Sequence, residues 1–353
     1  MHSTGDELIR RGHQVEYLFC EDLNVSCRPQ FRRFQVPRRI LQRVRQRIAD
    51  GRPVDVVEIH EPASAAYAWN RAHLPPLVIF SYGLEDRSHR ATLAYQQKKG
   101  LPITLKNRYS PLSVVWQAMY ATRRAAHVIC SNSEDVEHLV GRGVDRARLT
   151  RHHSGVEPEF LAAGLELPAA TPRKGLLFLG SWLHRKGILD LVPAASEALA
   201  RHPGEHLTVA GCHASPEQIL AEFPEAVRPR IRVMPRVDGN QALIDVYRSH
   251  SVFVLPSYFE GQPLVMIEAA ALGLAVVTTP VCGMRDFIIP EQNGLTVPVG
   301  EPGALAEALD RLLTQPALAR KLGEAAQIRA RTHTWATAAD KIEAAYQAAV
   351  GAR

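Results

Sequence analysis

Two glutamates lie eight positions apart in a stretch that is otherwise almost wholly apolar. The segment SYFEGQPLVMIEAAALG (257–273) places Glu260 just before a predicted helix and Glu268 inside it. Pro263 suits the first turn of that helix, and Gly273 suits its end. Burying a carboxylate without a partner is unfavourable. We therefore expect Glu268 to accept hydrogen bonds from a ligand diol such as a ribose, with a surface salt bridge as the alternative.

The start of the same helix is a candidate anion site. The backbone N–H groups of Gly261, Gln262, Leu264 and Val265 are expected to point out of the helix amino terminus, where a negative charge is favoured. Glu260 precedes this terminus, and its simplest interpretation is an acid that stabilises the helix dipole.

A second segment, FLGSWLHRKGILDLV (178–192), carries two adjacent cations. A predicted strand ends at Gly180, and Arg185 and Lys186 come just before a helix that begins near Gly187. Cations at a helix amino terminus oppose its dipole, so the placement is unfavourable unless an anion lies there. A diphosphate would supply that anion. The alternative is a pair of surface cations on a loop.

Short apolar, β-branched runs alternate with amphipathic helical stretches, which is typical of parallel sheets covered by helices on both faces. We predict an α/β fold with two doubly wound, Rossmann-like domains facing a cleft. The predicted strands are 14–19, 54–59, 76–81, 126–131, 175–181, 206–211, 231–234, 251–256 and 275–280. Residues 5–12 look like the end of a helix, and a domain of this type normally has a strand before that helix. We therefore expect the amino-terminal domain to lack its first strand. The chain would be truncated, its start site would be misplaced, or another element would fill the position of the strand.

Composition narrows the class of protein. The chain has 353 residues, 46% hydrophobic and 22% charged, which favours a globular protein over a disordered or fibrous one. No run approaches the ~20 apolar residues of a membrane span, so a cytoplasmic location is expected. The five cysteines are widely spaced, and no metal site is predicted. The net charge of +6 indicates an anionic partner.

The stretch 28–47 holds eight arginines and no acid. Apolar residues follow at helical spacing, namely Ile40, Leu41, Val44 and Ile48. Such a helix can lie on an anionic membrane surface, or its apolar stripe can pack on the domain. Nucleic acid is not an expected partner, because no aromatic residues interleave with the charge in a known reading motif.

Together these segments resemble the family 4 retaining glycosyltransferases of GT-B fold (glycosyl transferases group 1). The match rests on RKG after a strand–glycine turn and on the E-x7-E segment with the strand that follows it, PSYFEGQPLVMIEAAALGLAVVTTPVCGMRDFI (256–288). Four further segments match in the right order: RRGHQVEYL (10–18), HHSGVEPEF (152–160), VYRSHSVFVLPS (246–257) and EQNGLTVPVGEPGALAEAL (291–309).

The resemblance implies a nucleotide-diphosphate-sugar donor held mainly by the carboxy-terminal domain, with no cofactor. Lys186 and Arg185 would hold the diphosphate, Glu268 the ribose hydroxyls and Glu260 the hydroxyls of the transferred sugar. The rest of the donor site would comprise Gly180, Ser181, Gly261, Gln262, Pro263, Leu264 and Val265. The implied reaction needs no metal and proceeds with retention, the leaving phosphate helping to remove the acceptor proton. A DxD-like pair is absent from suitable loops.

The acceptor side is expected in the amino-terminal domain. His60 and Glu61 (in EIHEPAS), Tyr82 and Glu85 follow predicted strands, where sheets of this type bind ligands. For His60 a structural histidine at a strand end is the alternative.

The predicted organisation is an amino-terminal domain (1–157), a linker rich in Pro, Ala and Gly (158–174), a donor-binding domain (175–328) and a final segment (329–353). The resemblance implies that this segment carries a helix that crosses back to the amino-terminal domain. The acceptor would be a glycan, a glycolipid or a small molecule, in cell-envelope polysaccharide synthesis at the inner face of the membrane.

Three departures from the family leave a second interpretation open. Ser181 stands where the family usually has Arg, Tyr82 stands where many members have His, and the glycine-rich loop after the first strand is missing. A catalytically impaired nucleotide-sugar-binding partner protein is therefore the alternative. A phosphorylase or sugar-phosphate synthase would need a further phosphate site that the residues do not indicate.

Overall fold

The computed structural model describes residues 2–23, 25, 29–109, 111, 114–166 and 173–352. The chain forms two compact units. Unit 1 comprises Met1–Gln96, Leu101–His153 and Trp335–Arg353, and unit 2 comprises Gln97–Gly100 and Ser154–Thr334. The last helix therefore belongs to unit 1, although it follows unit 2 in the chain.

Unit 1 contains a four-stranded parallel sheet in the order β1-β2-β3-β4. Its strands are β1 (Val57–His60), β2 (Leu77–Ser81), β3 (His127–Cys130) and β4 (Leu149–Arg151). Its helices are α1 (His2–Arg10), α2 (Pro29–Ala49), α3 (Ala65–Trp69), α4 (Glu85–Lys98), α5 (Leu105–Tyr109), α6 (Val114–Arg124), α7 (Ser133–Gly141) and α16 (Trp335–Gly351).

Helices cover both faces of this sheet, which explains why β2 and β3 are buried along their whole length. Because side chains alternate along a strand, Val78 and Phe80 of β2 pack on one face with Ile342 of α16. Ile79 packs on the opposite face with Leu41 of α2. The sequence makes this possible because LVIFS carries apolar side chains on both faces.

Unit 2 contains a six-stranded parallel sheet in the order β10-β9-β8-β5-β6-β7. Its strands are β5 (Leu176–Leu179), β6 (Leu207–Ala210), β7 (Ile231–Met234), β8 (Val252–Leu255), β9 (Ala275–Thr278) and β10 (Leu295–Thr296). Its helices are α8 (Pro158–Leu165), α9 (Ile188–Arg201), α10 (Pro216–Ala221), α11 (Asn240–Arg248), α12 (Leu264–Ala271), α13 (Cys282–Phe287), α14 (Pro302–Thr314) and α15 (Pro316–Ala330). The strand order reverses between β5 and β8, as in doubly wound nucleotide-binding sheets.

The amino-terminal segment 14–19 differs from the prediction, because it is not a strand. A strand needs a neighbour for its backbone hydrogen bonds, and among the described residues no strand of the sheet pairs with this segment. Val15 instead packs against the core shared by α1 and α16, and the rings of Tyr17 and Phe19 stack at 5.7 Å. The short edge strands β4 and β10 were not predicted.

Residues 158–165 differ from the predicted linker. They form α8, whose Phe160 is 1% exposed and packs in the core of unit 2 with Ala163. Leu161 packs against the same core, so the apolar residues of this segment hold it on unit 2 as a helix. Positions 167–172 of the predicted linker lie outside the described residues.

The apolar stripe of α2 packs on unit 1, which was one of its two predicted roles. Leu41 is buried, and Ile40 and Val44 pack against the same core, whereas Ile48 is 39% exposed. Within the described part of the chain, no helix combines the length and apolar character needed to cross a bilayer.

Candidate functional site

The candidate donor residues lie at the carboxyl ends of β5 and β8. Gly180 follows β5 directly, and the segment 256–263 follows β8 and leads into α12. These two strands are neighbours at the point where the strand order reverses. Ligands of doubly wound sheets bind at this point. The topology therefore brings the two chemistry-bearing segments of the sequence to one place.

The two loops pack tightly against each other. Gly187 ends the short 3-10 helix His184–Lys186 with φ of 75°, and a Cβ at this position would lie 1.9 Å from the carbonyl oxygen of Pro256. The N–H of Tyr258 donates to the carbonyl oxygen of Arg185 at 3.1 Å. Only glycine allows both the left-handed backbone and the close approach. The glycine of RKG thus holds the cations beside the loop that carries Glu260.

A second close approach supports the loop before α12. The N–H of Gly283 donates to the carbonyl oxygen of Gly261 at 2.9 Å, and a Cβ on Gly283 would lie 2.6 Å from that oxygen. The side-chain oxygen of Gln262 accepts a hydrogen bond from the N–H of Ser154. The loop is therefore fixed by backbone contacts from α13 and from the start of unit 2.

Glu260, Lys186 and Arg185 form one ion-pair cluster. The Glu260 side chain is buried, with Oε1 at 2.7 Å from Lys186 Nζ and Oε2 at 3.0 Å from Arg185 Nη1. Ser257 Oγ donates to Glu260 Oε1 at 3.0 Å, and Arg185 Nη1 donates to the Phe259 carbonyl oxygen at 2.9 Å. Two cations share one carboxylate, so the cluster carries one net positive charge.

This cluster adds to what the sequence predicted. A diphosphate was expected to supply the negative charge beside Arg185 and Lys186, whereas in the structure Glu260 supplies it. Lys186 also passes over Gly180, since a Cβ on Gly180 would lie 3.5 Å from Lys186 Cε. Ser181, which stands where the family has arginine, accepts a hydrogen bond from the Leu183 N–H through its carbonyl oxygen.

Glu268 has an intramolecular partner that the sequence did not indicate. The hydroxyl of Tyr247 donates to Glu268 Oε2 at 2.8 Å and lies 3.1 Å from the Val265 carbonyl oxygen. Tyr247 is fully buried, and Glu268 is partly buried. Burial raises the pKa of Glu268, and the hydrogen bond from Tyr247 opposes that rise. Tyr247 is therefore a partner of Glu268 in addition to the predicted ligand diol, which stays a prediction.

The helix that carries Glu268 begins and ends as predicted. Leu264 is its first residue, with Pro263 before it and Gly273, at φ of 73°, just after it. Leu264 is 38% exposed, and Val265 is partly buried. This places the amino terminus of α12 next to the ion-pair cluster, because only Gly261, Gln262 and Pro263 separate Leu264 from Glu260.

Two of the acceptor-side candidates meet at the end of the unit 1 sheet. The rings of His60 and Tyr82 pack edge to face with centroids 5.0 Å apart, and Phe80 contacts both rings. Tyr82 is 50% exposed. Burial lowers the pKa of His60 to about 4 and raises the pKa of Tyr82 to about 12, so both side chains are neutral at pH 7.

Glu61 lies beside this pair and carries a perturbed carboxyl group. Ser81 Oγ donates to Glu61 Oε2 at 2.8 Å. Burial raises the pKa of Glu61 to about 8, and the charge of Glu85 adds to the rise. A carboxyl group with this pKa is mostly protonated at pH 7 and can donate a hydrogen bond as well as accept one.

Sequence reasoning missed Ser257 and Tyr247. Ser257 precedes Glu260 by three residues, a spacing that could have suggested a local hydrogen bond. Tyr247 precedes Glu268 by 21 residues, and nothing in its neighbourhood indicated a polar role. No group of three or more His, Cys, Asp or Glu side chains in the described ranges is arranged to hold a metal ion.

Comparisons with known proteins agree with this geometry. Residues 1–155 match the family "Glycosyl transferase 4-like domain", and residues 173–315 match the family "Glycosyl transferases group 1". The chain is 30% identical over 229 residues to glycogen synthase of Mycobacterium tuberculosis, covering 63% of this chain and 54% of that protein. It is 32% identical over 181 residues to a D-inositol 3-phosphate glycosyltransferase of Corynebacterium diphtheriae, covering 49% and 42%. The matches thus span about half the length of these relatives.

Solved structures share the fold. Sucrose-phosphate synthase from Thermosynechococcus elongatus superimposes with a TM-score of 0.73 at 21% identity, covering 98% of this chain and 91% of that one. The Anabaena protein HepE in complex with UDP gives a TM-score of 0.64 at 14% identity, covering 87% and 81%. With both family matches and two Rossmann-like units, the chain belongs to the group 1 glycosyltransferases of family 4 and has the GT-B fold.

Proposed function

We propose that the chain transfers a hexosyl group from a nucleotide-diphosphate sugar to a hydroxyl group of an acceptor. The observation that carries the proposal is the cluster of Glu260, Arg185 and Lys186 at the switch point of the unit 2 sheet. Its net positive charge and the neighbouring amino terminus of α12 suit a diphosphate. Two relatives are glycosyl-transferring enzymes by name, and HepE binds UDP, which supports the same assignment.

The proposed chemistry needs no residue to act as a nucleophile. The bond between the anomeric carbon and the leaving diphosphate oxygen breaks, and a bond to the acceptor oxygen forms on the same face of the sugar, with retention. The acceptor proton passes to the leaving phosphate. Arg185, Lys186 and the α12 amides stabilise the charge that grows on the diphosphate, without a metal ion.

Three further residues, Glu268, Glu260 and Gly180, would contact the donor or leave room for it. Glu268 would accept hydrogen bonds from the ribose hydroxyls, with its other contact to Tyr247 holding the carboxylate in place. Glu260 would face hydroxyls of the transferred sugar while it positions both cations. Gly180 leaves room beside Lys186, because any side chain there would contact the lysine stem.

The acceptor would meet unit 1 at the exposed ends of β1 and β2. His60, Tyr82 and Glu85 offer aromatic and polar surface for a sugar, and the protonated Glu61 can donate to a hydroxyl oxygen. A glycan or glycolipid acceptor in envelope polysaccharide synthesis, handled at the cytoplasmic face of the membrane, is consistent with this surface.

Calorimetric titration with UDP-, GDP- and ADP-sugars tests the donor site. One donor should bind the wild type, and Glu268→Ala should weaken that binding by roughly tenfold or more, since a hydrogen bond to a charged group is worth ~1.5–3 kcal/mol. Glu225→Ala, an exposed glutamate of unit 2, is the matched control and should bind normally. Equal binding by Glu268→Ala would remove the ribose assignment.

Product analysis then tests the reaction. Anomeric NMR of the product should show retention, and inversion would overturn the mechanism.

A second candidate, a nucleotide-sugar-binding partner without transferase activity, is favoured by Ser181 and Tyr82, which replace family residues near the reaction centre. Tight donor binding without transfer or donor hydrolysis, across an acceptor panel that includes glycans and lipid-linked sugars, would support that candidate.

A further inference from the structure

Two tryptophans on the surface of unit 1 are largely exposed to solvent. Trp69 ends α3 and is 68% exposed, and Trp116 lies on α6 and is 58% exposed. The rings of both tryptophans contact Tyr120, each with its centroid 5.5 Å from that of the Tyr120 ring. Large aromatic side chains grouped on a surface mark an interaction site more often than single exposed ones do.

Arginines surround this aromatic row. The Arg124 guanidinium lies 4.7 Å from the centroid of the Tyr120 ring, and Arg71 Nη1 donates to the Arg124 carbonyl oxygen at 2.9 Å. Arg45 of α2 donates to Asn70, the residue after Trp69, at 3.1 Å. We call this surface the aromatic–arginine face; it comprises Arg45, Trp69, Arg71, Trp116, Tyr120 and Arg124.

The three helices that meet here carry charge of one sign. The part of α2 whose side chains are described (34–49) and the helices α3 and α6 contain seven arginines and no aspartate or glutamate, and one of the seven, Arg47, pairs with Glu16. On α2 the side chains of Arg38, Arg39, Arg43 and Arg45 are exposed. A mixed protein surface interleaves both signs, so this face is shaped for an anionic partner.

We infer that the aromatic–arginine face binds the surface of an anionic lipid bilayer. Tryptophan and tyrosine favour the headgroup region, where their apolar rings and polar edges are both satisfied, and arginine is attracted to anionic headgroups. Most of the apolar stripe of α2 is not available for this contact, because Ile40, Leu41 and Val44 pack inside unit 1. The apolar anchors come instead from α3 and α6.

The charge decides between a bilayer and other partners of this surface. An uncharged glycan would stack on the tryptophans but would gain nothing from the charges of Arg45, Arg71 and Arg124. A soluble polyanion without aromatic groups, such as heparin, would use the arginines but not the two exposed tryptophan rings. A bilayer containing anionic lipid uses both features. The inference does not depend on the proposed transferase activity, which concerns residues of other loops.

Co-sedimentation of the full chain with vesicles tests the inference. The protein should bind phosphatidylcholine vesicles that contain phosphatidylglycerol, and should not bind phosphatidylcholine alone. Trp69→Ala combined with Trp116→Ala should weaken binding by roughly tenfold or more, because both anchors are lost. Ile328→Ala, 63% exposed on α15 of unit 2, is the matched control and should bind as the wild type does.

A second variant tests the electrostatic part and guards against misfolding. Arg71→Glu combined with Arg124→Glu should abolish binding to anionic vesicles, and urea midpoints should show that the variants still fold. Brominated lipids should quench tryptophan fluorescence in the wild type and in Ile328→Ala. Two results would overturn the inference. One is binding to anionic vesicles that survives in both double variants. The other is binding to soluble heparin that the tryptophan variant loses to the same extent as its binding to vesicles. Donor binding by the same variants should be unchanged in calorimetric titration. A loss of vesicle binding can therefore be distinguished from a failure of the proposed donor site.

Discussion

Replacing Glu260 with glutamine removes the only carboxylate of the ion-pair cluster while keeping its shape. Glutamine can still accept the hydrogen bond from Ser257, but its amide group would face the charged ends of Lys186 and Arg185. The substitution therefore leaves two cations close together without their counterion. The prediction is that Glu260→Gln destabilises unit 2 and at the same time strengthens its binding of inorganic pyrophosphate.

The magnitude follows from the distances and burial. At an effective dielectric constant of ~20, a unit charge pair about 4 Å apart is worth ~4 kcal/mol, and breaking a buried pair by removing one partner costs ~3–5 kcal/mol. The Arg185 side chain is 37% exposed, so solvent screens its share, whereas Lys186 is 12% exposed. We expect the free energy of unfolding to fall by ~2–4 kcal/mol.

Pyrophosphate binding provides the complementary measurement. In the wild type Glu260 repels the anion and competes for both cations, so the variant should bind pyrophosphate about tenfold more tightly, equivalent to ~1.4 kcal/mol. If Glu260 also contacts the transferred sugar, the gain should be smaller for the nucleotide sugar than for pyrophosphate. Urea unfolding and calorimetry at low and high salt give both quantities, and Glu225→Gln is the control.

One combination of results would refute this reasoning. If Glu260→Gln left the free energy of unfolding within ~0.5 kcal/mol of the wild type and weakened pyrophosphate binding, Glu260 would not be the counterion of the cluster. Its role would then be confined to ligand contact.

Three further changes have clear expected results. Tyr247→Phe leaves Glu268 without its buried donor and should lower the free energy of unfolding by ~1–3 kcal/mol in urea. Gly187→Ala forces a Cβ onto the carbonyl of Pro256 and should lower it by more than ~3 kcal/mol and weaken donor binding. Glu61 is protonated in the folded state up to about pH 8 but ionises near 4.5 when unfolded, so stability should fall as pH rises across that window, by about 5 kcal/mol at most. Glu61→Gln, which mimics the protonated acid, should remove this fall.

Each of these has a control. Gly204→Ala has open space around the added carbon and should change the free energy of unfolding by less than ~1 kcal/mol. If the free energy of unfolding of Tyr247→Phe were within ~0.5 kcal/mol of the wild-type value, Glu268 would have another hydrogen-bond donor. For Glu61, the difference between wild type and variant should be pH-independent above pH 8, and equal slopes throughout would contradict the raised pKa.

Elements made of buried apolar runs could be predicted from the sequence. IRVM became β7 with the predicted bounds, and the predicted runs at 251–256 and 275–280 each contain their strand. The contact between Gly187 and the loop after β8 could not be predicted from the sequence. The RKG and E-x7-E segments each follow a predicted strand, however, and this was enough to place both at the same edge of the sheet. The superposition on solved structures confirms the predicted fold.

The side-chain partners inside the site could not be predicted. Arg185 and the Phe259 carbonyl oxygen are separated by 74 positions in the chain, and Tyr247 reaches Glu268 across two helices. Such contacts depend on how neighbouring strands align with each other in the sheet. The sequence of a single strand does not specify that alignment. The segment 14–19 shows the converse error, because a good strand pattern stays unpaired where none of the described strands lies beside it.

The position of α16 in unit 1 has a consequence for synthesis of the chain. Val78, Phe80 and Ile129 of the unit 1 sheet are covered by Ile342 and its neighbours, which the ribosome makes after unit 2. The intervening segment Ser154–Thr334 takes ~10–40 s to translate at ~5–20 residues per second. During that time the nascent unit 1 presents an uncovered apolar sheet face, while unit 2 can already close its own core. Unit 1 therefore begins before unit 2 in the chain but can complete its core only after unit 2 has been translated.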